Sequence, residues 1–264
     1  MSLILPGIVA SLCYVTATFM QLRSIVAGAV LNRWIKVLGG FAVIFHAITN
    51  YQDFTGAGGI DLGIYPMMSL MALSIVAIVI ISSLRRPVDN LFIVIFPIAM
   101  ATVVLEITLN SDHGVSQQVS GGIVTHIILS IVAYSLLTIA AVQALLLSLG
   151  DNLLRHHRLG VLRNMPPLET MEQLMFEMIG WGLIFLSLSI GTGFVFIKDT
   201  SLPGLMHHMV ITFSAWVVFS VLMWGRFQLG WRGAIASRWT LSGFVLLALG
   251  YFGSKIVLEI ILGR

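Results

Sequence analysis

Long apolar runs constrain this chain more than any other feature. Eight of them, at about 3–22, 34–50, 64–83, 91–109, 123–149, 174–197, 205–228 and 240–261, are separated by short polar loops. Crossing the hydrocarbon core of a bilayer takes about 20 apolar residues in a helix. In hydrocarbon no water bonds a stray N–H or C=O, so only helices and closed barrels span it. Barrel-like alternation of apolar and polar residues is absent. Helical spacing is present instead, as in His126, Ser130, Tyr134 and Thr138. The sequence predicts an all-α polytopic transmembrane bundle of about eight helices, forming a single integral membrane domain over residues 1–264.

Composition excludes the main alternative. Apolar residues make up 58% of the chain and charged residues only 9%, where a soluble domain carries about 25% charged residues. The basic pI of 9.3 does not imply nucleic acid, because the cations sit in short loops and report topology. Arg23, Arg33 and Lys36 precede span two; Arg85 and Arg86 follow span three; Arg155, Arg158 and Arg163 follow span five; Arg232 and Arg238 follow span seven. The intervening loops carry Asp53, Asp61 and Asp112, and a single Lys198 beside Asp199. This alternation predicts cytoplasmic basic loops and both termini outside, in the periplasm. The first apolar run lacks a basic segment before it and reads as an uncleaved span. Cys13 has no intrachain partner.

On this topology three helices bring imidazoles to one depth near the outer face. His46 lies toward the end of span two, His126 begins span five, and His207 and His208 begin span seven. Small or polar stripes accompany them: Gly39, Ala42 and Asn50 around His46, Ser130 and Tyr134 below His126. Any one intramembrane histidine is more often a packing residue than a ligand. Three at matched depth raise a functional reading. Facing histidines build cofactor sites in bundles, and imidazole is a common axial ligand of haem iron. A closed zinc site wants four ligands, often thiolates, which Cys13 alone does not supply. A proton relay would use the same imidazoles, with Glu106 of span four as a further carboxyl. Glu169 and Glu172 are placed in the first turn of span six, where the helix dipole favours them. Lys255 and Glu259, four apart on span eight, are expected to pair. The sequence holds no Ser-His-Asp pattern, and Gly191-Thr192-Gly193 lies inside a span rather than in a nucleotide loop, so no side-chain catalysis is indicated.

Several motifs carry a resemblance. They are His126-Ile-Ile-Leu-Ser130 with Tyr134, and Met165-Pro-Pro-Leu168 with Glu172 and Phe176. Ala215-Trp216 runs into Trp224-Gly-Arg226 and Gly230-Trp-Arg-Gly233. Gly243-Phe244 and Tyr251-Phe-Gly-Ser-Lys255 complete the set. With them the chain resembles the cytochrome c assembly (CcsA/HemX-like) integral membrane family, in its YpjD-like inner-membrane branch. The resemblance implies a multi-pass protein of the bacterial inner (cytoplasmic) membrane that binds b-type haem near the outer leaflet. It implies external-side histidines as ligands, beside a tryptophan-rich WWD segment. His126 matches the histidine that heads the span after an external loop. Ahead of Trp216, His207-His208-Met209 stands in place of the WWD segment, Trp224 replaces a histidine, and none follows span eight. The expected reading is haem handling, with His46, His126, His207 and His208 as cofactor-binding residues and Glu106, Ser130 and Tyr134 in support. His126 with His207 or His46 would meet the iron. The alternatives are a non-haem accessory or transport subunit that handles protons or cations, and a scaffold that kept the fold without the cofactor. Partners would be the lipid bilayer and membrane proteins of cytochrome assembly or transport.

Overall fold

Each apolar run is a helix in the computed structural model, which describes residues 4–27, 33–56, 60–61, 63–109, 115–116, 121–156, 166–196 and 205–253. The helices are α1 (Leu5–Val26), α2 (Arg33–Gly56), α3 (Ile64–Ser83), α4 (Phe92–Thr108), α5 (Gly121–Arg155), α6 (Leu168–Phe196), α7 (Leu205–Gln228) and α8 (Gly233–Ala248). A short 3-10 turn, Asp89–Leu91, leads into α4, and a π turn, Leu249–Gly253, follows α8. The pair β1 (Ile60–Asp61) and β2 (Val115–Ser116) is antiparallel, with Ile60 opposite Ser116. The fold is all-α apart from this two-residue ladder.

Where helices depart from the expected spans, the ends explain it. α5 runs on to Arg155 and α6 starts at Leu168, directly after Pro166-Pro167. Proline cannot sit in a helix interior without losing a hydrogen bond, so it fixes that start. Starting at Leu168 leaves Glu169 in the first turn of α6 and moves Glu172 beyond it. Lys255 and Glu259 lie outside the described residues.

The surface identifies the solvent. Leu12, Phe19, Ile44, Ile81, Val195 and Phe227 are all exposed, while small or polar residues such as Ala10, Ala42, Ala133, His46 and Ser69 are fully enclosed or nearly so. Water would penalise so much exposed apolar area, whereas lipid tails do not. Seven helices among the described residues are long and apolar enough to cross a membrane. α2 is the exception: it carries Arg33 and Lys36 at its start as well as His46, Thr49 and Asn50 on its buried side. It is nonetheless 24 residues long.

The chain forms two compact units, residues 1–117 with 150–168, and residues 118–149 with 169–264. In the first unit α1 packs on α2 and α4, and α3 packs on α2 and α4. Its core holds Tyr14, Phe92 and Phe96, the two phenylalanine rings being stacked at 4.8 Å. A Cβ at Gly39 would come within 2.8 Å of Phe96, so the glycine admits the ring. Gly182 makes the same allowance for Leu137 in the second unit, whereas Gly40 and Gly191 have no atom within 4 Å of such a Cβ and serve no close approach.

The second unit has a tight corner between α7 and α8. Gly230 and Gly233 take φ of 66° and 54°, a region that favours glycine. Trp231 folds back so that its ring covers Gly225 and packs against Trp239 at 5.2 Å. Glu172 of α6 closes this corner. Its Oε1 accepts from Arg226 Nη1 at 2.8 Å and Arg232 Nε at 3.1 Å, and its Oε2 accepts from the Gly233 N–H at 2.8 Å. One carboxylate thus ties α6, the end of α7 and the start of α8 together. Glu172 is buried, while Glu169 is largely exposed and only 3.6 Å from Arg232. Glu172→Ala leaves the Gly233 N–H without its acceptor and Arg226 with the Trp231 carbonyl at 3.3 Å instead of a carboxylate. It is expected to destabilise the protein by roughly 3 kcal/mol, against about 0.5 kcal/mol or less for Glu169→Ala. Thermal unfolding in detergent checks this, and equal shifts for the two variants would contradict it.

Candidate functional site

Polar side chains gather at two places, one in each unit. In the first unit a chain of hydrogen bonds crosses all four helices. Tyr14 Oη of α1 meets His46 Nδ1 of α2 at 3.1 Å, and His46 Nε2 meets Ser69 Oγ of α3 at 2.8 Å. Ser69 Oγ donates to Glu106 Oε2 of α4. Asn50 Nδ2 donates both to Ser69 Oγ and to the His46 carbonyl. Tyr14, His46 and Ser69 are wholly enclosed, and Asn50 and Glu106 nearly so.

With Glu106 ionised, the direction of every bond follows. Ser69 has one proton, which Glu106 takes, so Ser69 accepts from His46 Nε2–H. A neutral His46 then offers a lone pair at Nδ1, and Tyr14 donates to it. Both ring nitrogens of His46 are therefore occupied by protein groups.

His126 of the second unit is bound differently. Its Nδ1 lies 2.8 Å from the Ser189 carbonyl of α6. A carbonyl only accepts, so Nδ1 carries a proton, and the only position where the ring can offer a lone pair is Nε2. Nε2 has no hydrogen-bond partner among the described residues. Ser189 also donates its hydroxyl to Ser130, 2.7 Å away, and Ser130 donates to the His126 carbonyl at 2.8 Å. Thr192 Oγ1 bonds the same Ser189 carbonyl at 2.9 Å. Gly193 lies behind the ring: a Cβ there would stand 3.1 Å from His126 Cε1. The α6 glycine leaves room for the imidazole, and the α6 backbone sets its rotation.

His208 of α7 is half-buried and close enough to His126 for their charges to interact. Its ring meets Tyr251 edge-on at 6.3 Å, and Tyr251 meets Tyr134 at 5.7 Å. Tyr134 donates to the Leu247 carbonyl at 3.1 Å. Within the second unit, then, His126, Ser130, Tyr134 and His208 form one polar and aromatic neighbourhood. His46 and Glu106 belong to the first unit. The His207 side chain lies outside the described residues. No group of three or more His, Cys, Asp and Glu side chains suited to a metal ion occurs among the described residues. Haem needs only one or two axial ligands.

Sequence reasoning missed Tyr14, Ser69, Ser189 and Thr192. Each is an ordinary residue in an apolar run, and only the rotation of its helix makes it a partner. Ser189 carried a faint signal, as it lies four residues before Gly193 and so on the same helix face.

Comparison with known proteins adds an independent finding. The family described as cytochrome C assembly protein matches residues 61–262. The inner membrane protein YpjD of Escherichia coli K12 is 31% identical over 222 residues, 83% of this chain and 84% of that protein. The 28.8 kDa protein of the nifR3-like 5′ region in Azospirillum brasilense is 30% identical over 141 residues, 52% of each chain. No solved structure matches.

The His126 geometry makes a spectroscopic prediction. Nitrogen NMR of histidine-labelled protein should show neutral His126 with its proton on Nδ1. A proton on Nε2 would contradict the arrangement. Gly193→Ala should disturb this signal, because the new methyl group crowds the ring.

Proposed function

Since the chain belongs to the cytochrome c assembly family, we propose that it binds and handles haem in the bacterial inner membrane, using His126 as an axial ligand. One observation carries the reading: His126 is anchored through Nδ1 to a backbone carbonyl and keeps Nε2 open. Metal-ligating histidines usually donate their other N–H to such a group, which fixes the tautomer and makes the ligating nitrogen more basic. The donor set fits haem, which asks for a nitrogen lone pair in an apolar setting and nothing more from its axial position.

The second ligand in this reading comes from the start of α7, either His208, whose ring meets Tyr251 beside Tyr134, or His207. Successive residues point about 100° apart around a helix, so the two would not ligate together. This reading leaves His46 out of the ligand set, since Tyr14 and Ser69 bond both its nitrogens. Loop charges support placing His126 toward the periplasmic side, with both termini outside. Bound noncovalently as b-type haem, the iron would supply redox and ligand-exchange chemistry. The protein's own residues would hold, orient and shield it. Ser189 and Thr192 fix the imidazole rotation, Gly193 gives it space, and Tyr134 and Tyr251 supply aromatic walls. Partners would be membrane proteins of cytochrome assembly, which take haem from this site or deliver it.

Purified protein supplied with haem tests the proposal. The wild type should develop a Soret band. His126→Ala should weaken haem affinity tenfold or more, on the order of losses seen when metal-site residues are removed. His46→Gln should leave the band in place. A wild type without the band, or a His126→Ala variant that binds haem like the wild type, would overturn it.

A further inference from the structure

The hydrogen-bond chain of the first unit is not used by haem ligation, and its connectivity has a property of its own. We propose that Glu106 is an intramembrane proton-binding site coupled through Ser69 to the tautomer of His46, so that uptake of one proton reverses the whole chain.

What each group can donate sets the direction of the chain. With Glu106 ionised, all donors point toward it: Tyr14 O–H to His46 Nδ1, His46 Nε2–H to Ser69 Oγ, Ser69 O–H to Glu106 Oε2. A protonated Glu106 can instead donate to Ser69. The Ser69 proton must then turn to His46 Nε2, which accepts only if the ring proton has moved to Nδ1. Nδ1–H in turn donates to the Tyr14 oxygen. Ser69 is satisfied in both arrangements. It accepts from Asn50 Nδ2 at 3.3 Å throughout, and exchanges one further acceptance and its single donation between His46 and Glu106. A hydroxyl with two lone pairs and one proton allows that exchange.

The two arrangements differ by one proton. A proton from water joins the Tyr14 oxygen, the original phenol proton passes to Nδ1, the Nε2 proton passes to Ser69, and the Ser69 proton passes to Glu106. Counting the O–H bond of the hydronium ion that supplies the proton, four O–H or N–H bonds break as four form, no electrons are transferred, and a neutral carboxylic acid results. Chains of hydrogen bonds in a low dielectric polarise one another, which favours two concerted arrangements over mixed ones. The titratable groups facing this chain are few. α1 brings Tyr14 and, next to it, Cys13, close enough for its charge to act on Tyr14. α2 brings His46, α4 Glu106, and α3 the hydroxyl of Ser69 with Tyr65 one turn before it on the same face. Lys36 and Asp89 pair with each other at 2.9 Å, and Lys36 also bonds the Ser83 carbonyl at the end of α3 far from Ser69.

Infrared and nitrogen NMR titrations of the full chain in lipid nanodiscs test this together. The wild type should show a carboxylic C=O stretch that grows as pH falls and is missing from Glu106→Gln. The His46 ring proton should move from Nε2 to Nδ1 with the same midpoint. Ser69→Ala should keep the carboxyl titration and abolish the tautomer change. The proposal is overturned if no carboxyl band separates wild type from Glu106→Gln. It is also overturned if His46 keeps one tautomer while the band titrates, or if Ser69→Ala leaves the tautomer change intact. Should Glu106→Gln fail to fold, the wild-type midpoints and the Ser69→Ala comparison still decide the matter.

Discussion

A polar side chain inside a bilayer has no water to turn to, and the interior of this protein is arranged around that lack. Among the described residues, Tyr14, His46, Ser69 and Glu106 find partners on other helices, and hydroxyls such as Thr18 and Ser135 bond their own backbone. Large apolar residues can face outward without penalty, and inside they share the space with alanine, serine and the few groups with chemistry, as Phe92 and Phe96 do with Ala10, Ser69 and His46 in the first unit. α2 shows the consequence within one element. Its enclosed face carries His46, Thr49 and Asn50, and the partners on α1, α3 and α4 make that tolerable.

The two histidine environments are opposite solutions to the same constraint. His46 is closed, with a phenol on one nitrogen and a hydroxyl on the other. His126 is held by one nitrogen only, against a carbonyl that cannot be titrated or mutated away. Closure suits a residue that passes information within a network, and a single anchor suits a residue that must meet something else. Elsewhere in the second unit, the Glu172 corner fixes the far end of α6, the helix that supplies the Ser189 carbonyl. Its motif residues, Arg226 and Gly230 to Gly233, are thus explained by geometry rather than by ligand contact. The start of α7 carries His207-His208-Met209.

Much of the fold was legible because hydrocarbon length and helix rise are fixed quantities. α3 falls at residues 64–83, as its apolar run predicts, and α7 at 205–228. The helical extension of α5 beyond its apolar run, to Arg155, was legible too. The sites were legible by residue type and approximate depth but not by partner. His126 stood out as an imidazole among leucines and isoleucines. Ser189 did not, because its contribution is a backbone carbonyl that every residue possesses. Ser69 became the pivot of the first unit through the rotation of α3, which single-sequence periodicity leaves undetermined in so uniformly apolar a helix. Glu172 was placed in a first turn as a dipole partner, whereas it sits deeper and gathers two arginines and a backbone N–H.

The central claim is that the open nitrogen of His126 meets haem iron. Pulsed electron paramagnetic resonance of the haem-loaded ferric protein, with nitrogen-15 introduced only at histidine, addresses it most directly. The account predicts strong coupling between the iron and labelled imidazole nitrogen, lost from one axial position when His126 is replaced. Iron that shows no histidine coupling, or a coupling pattern indifferent to that replacement, would contradict it.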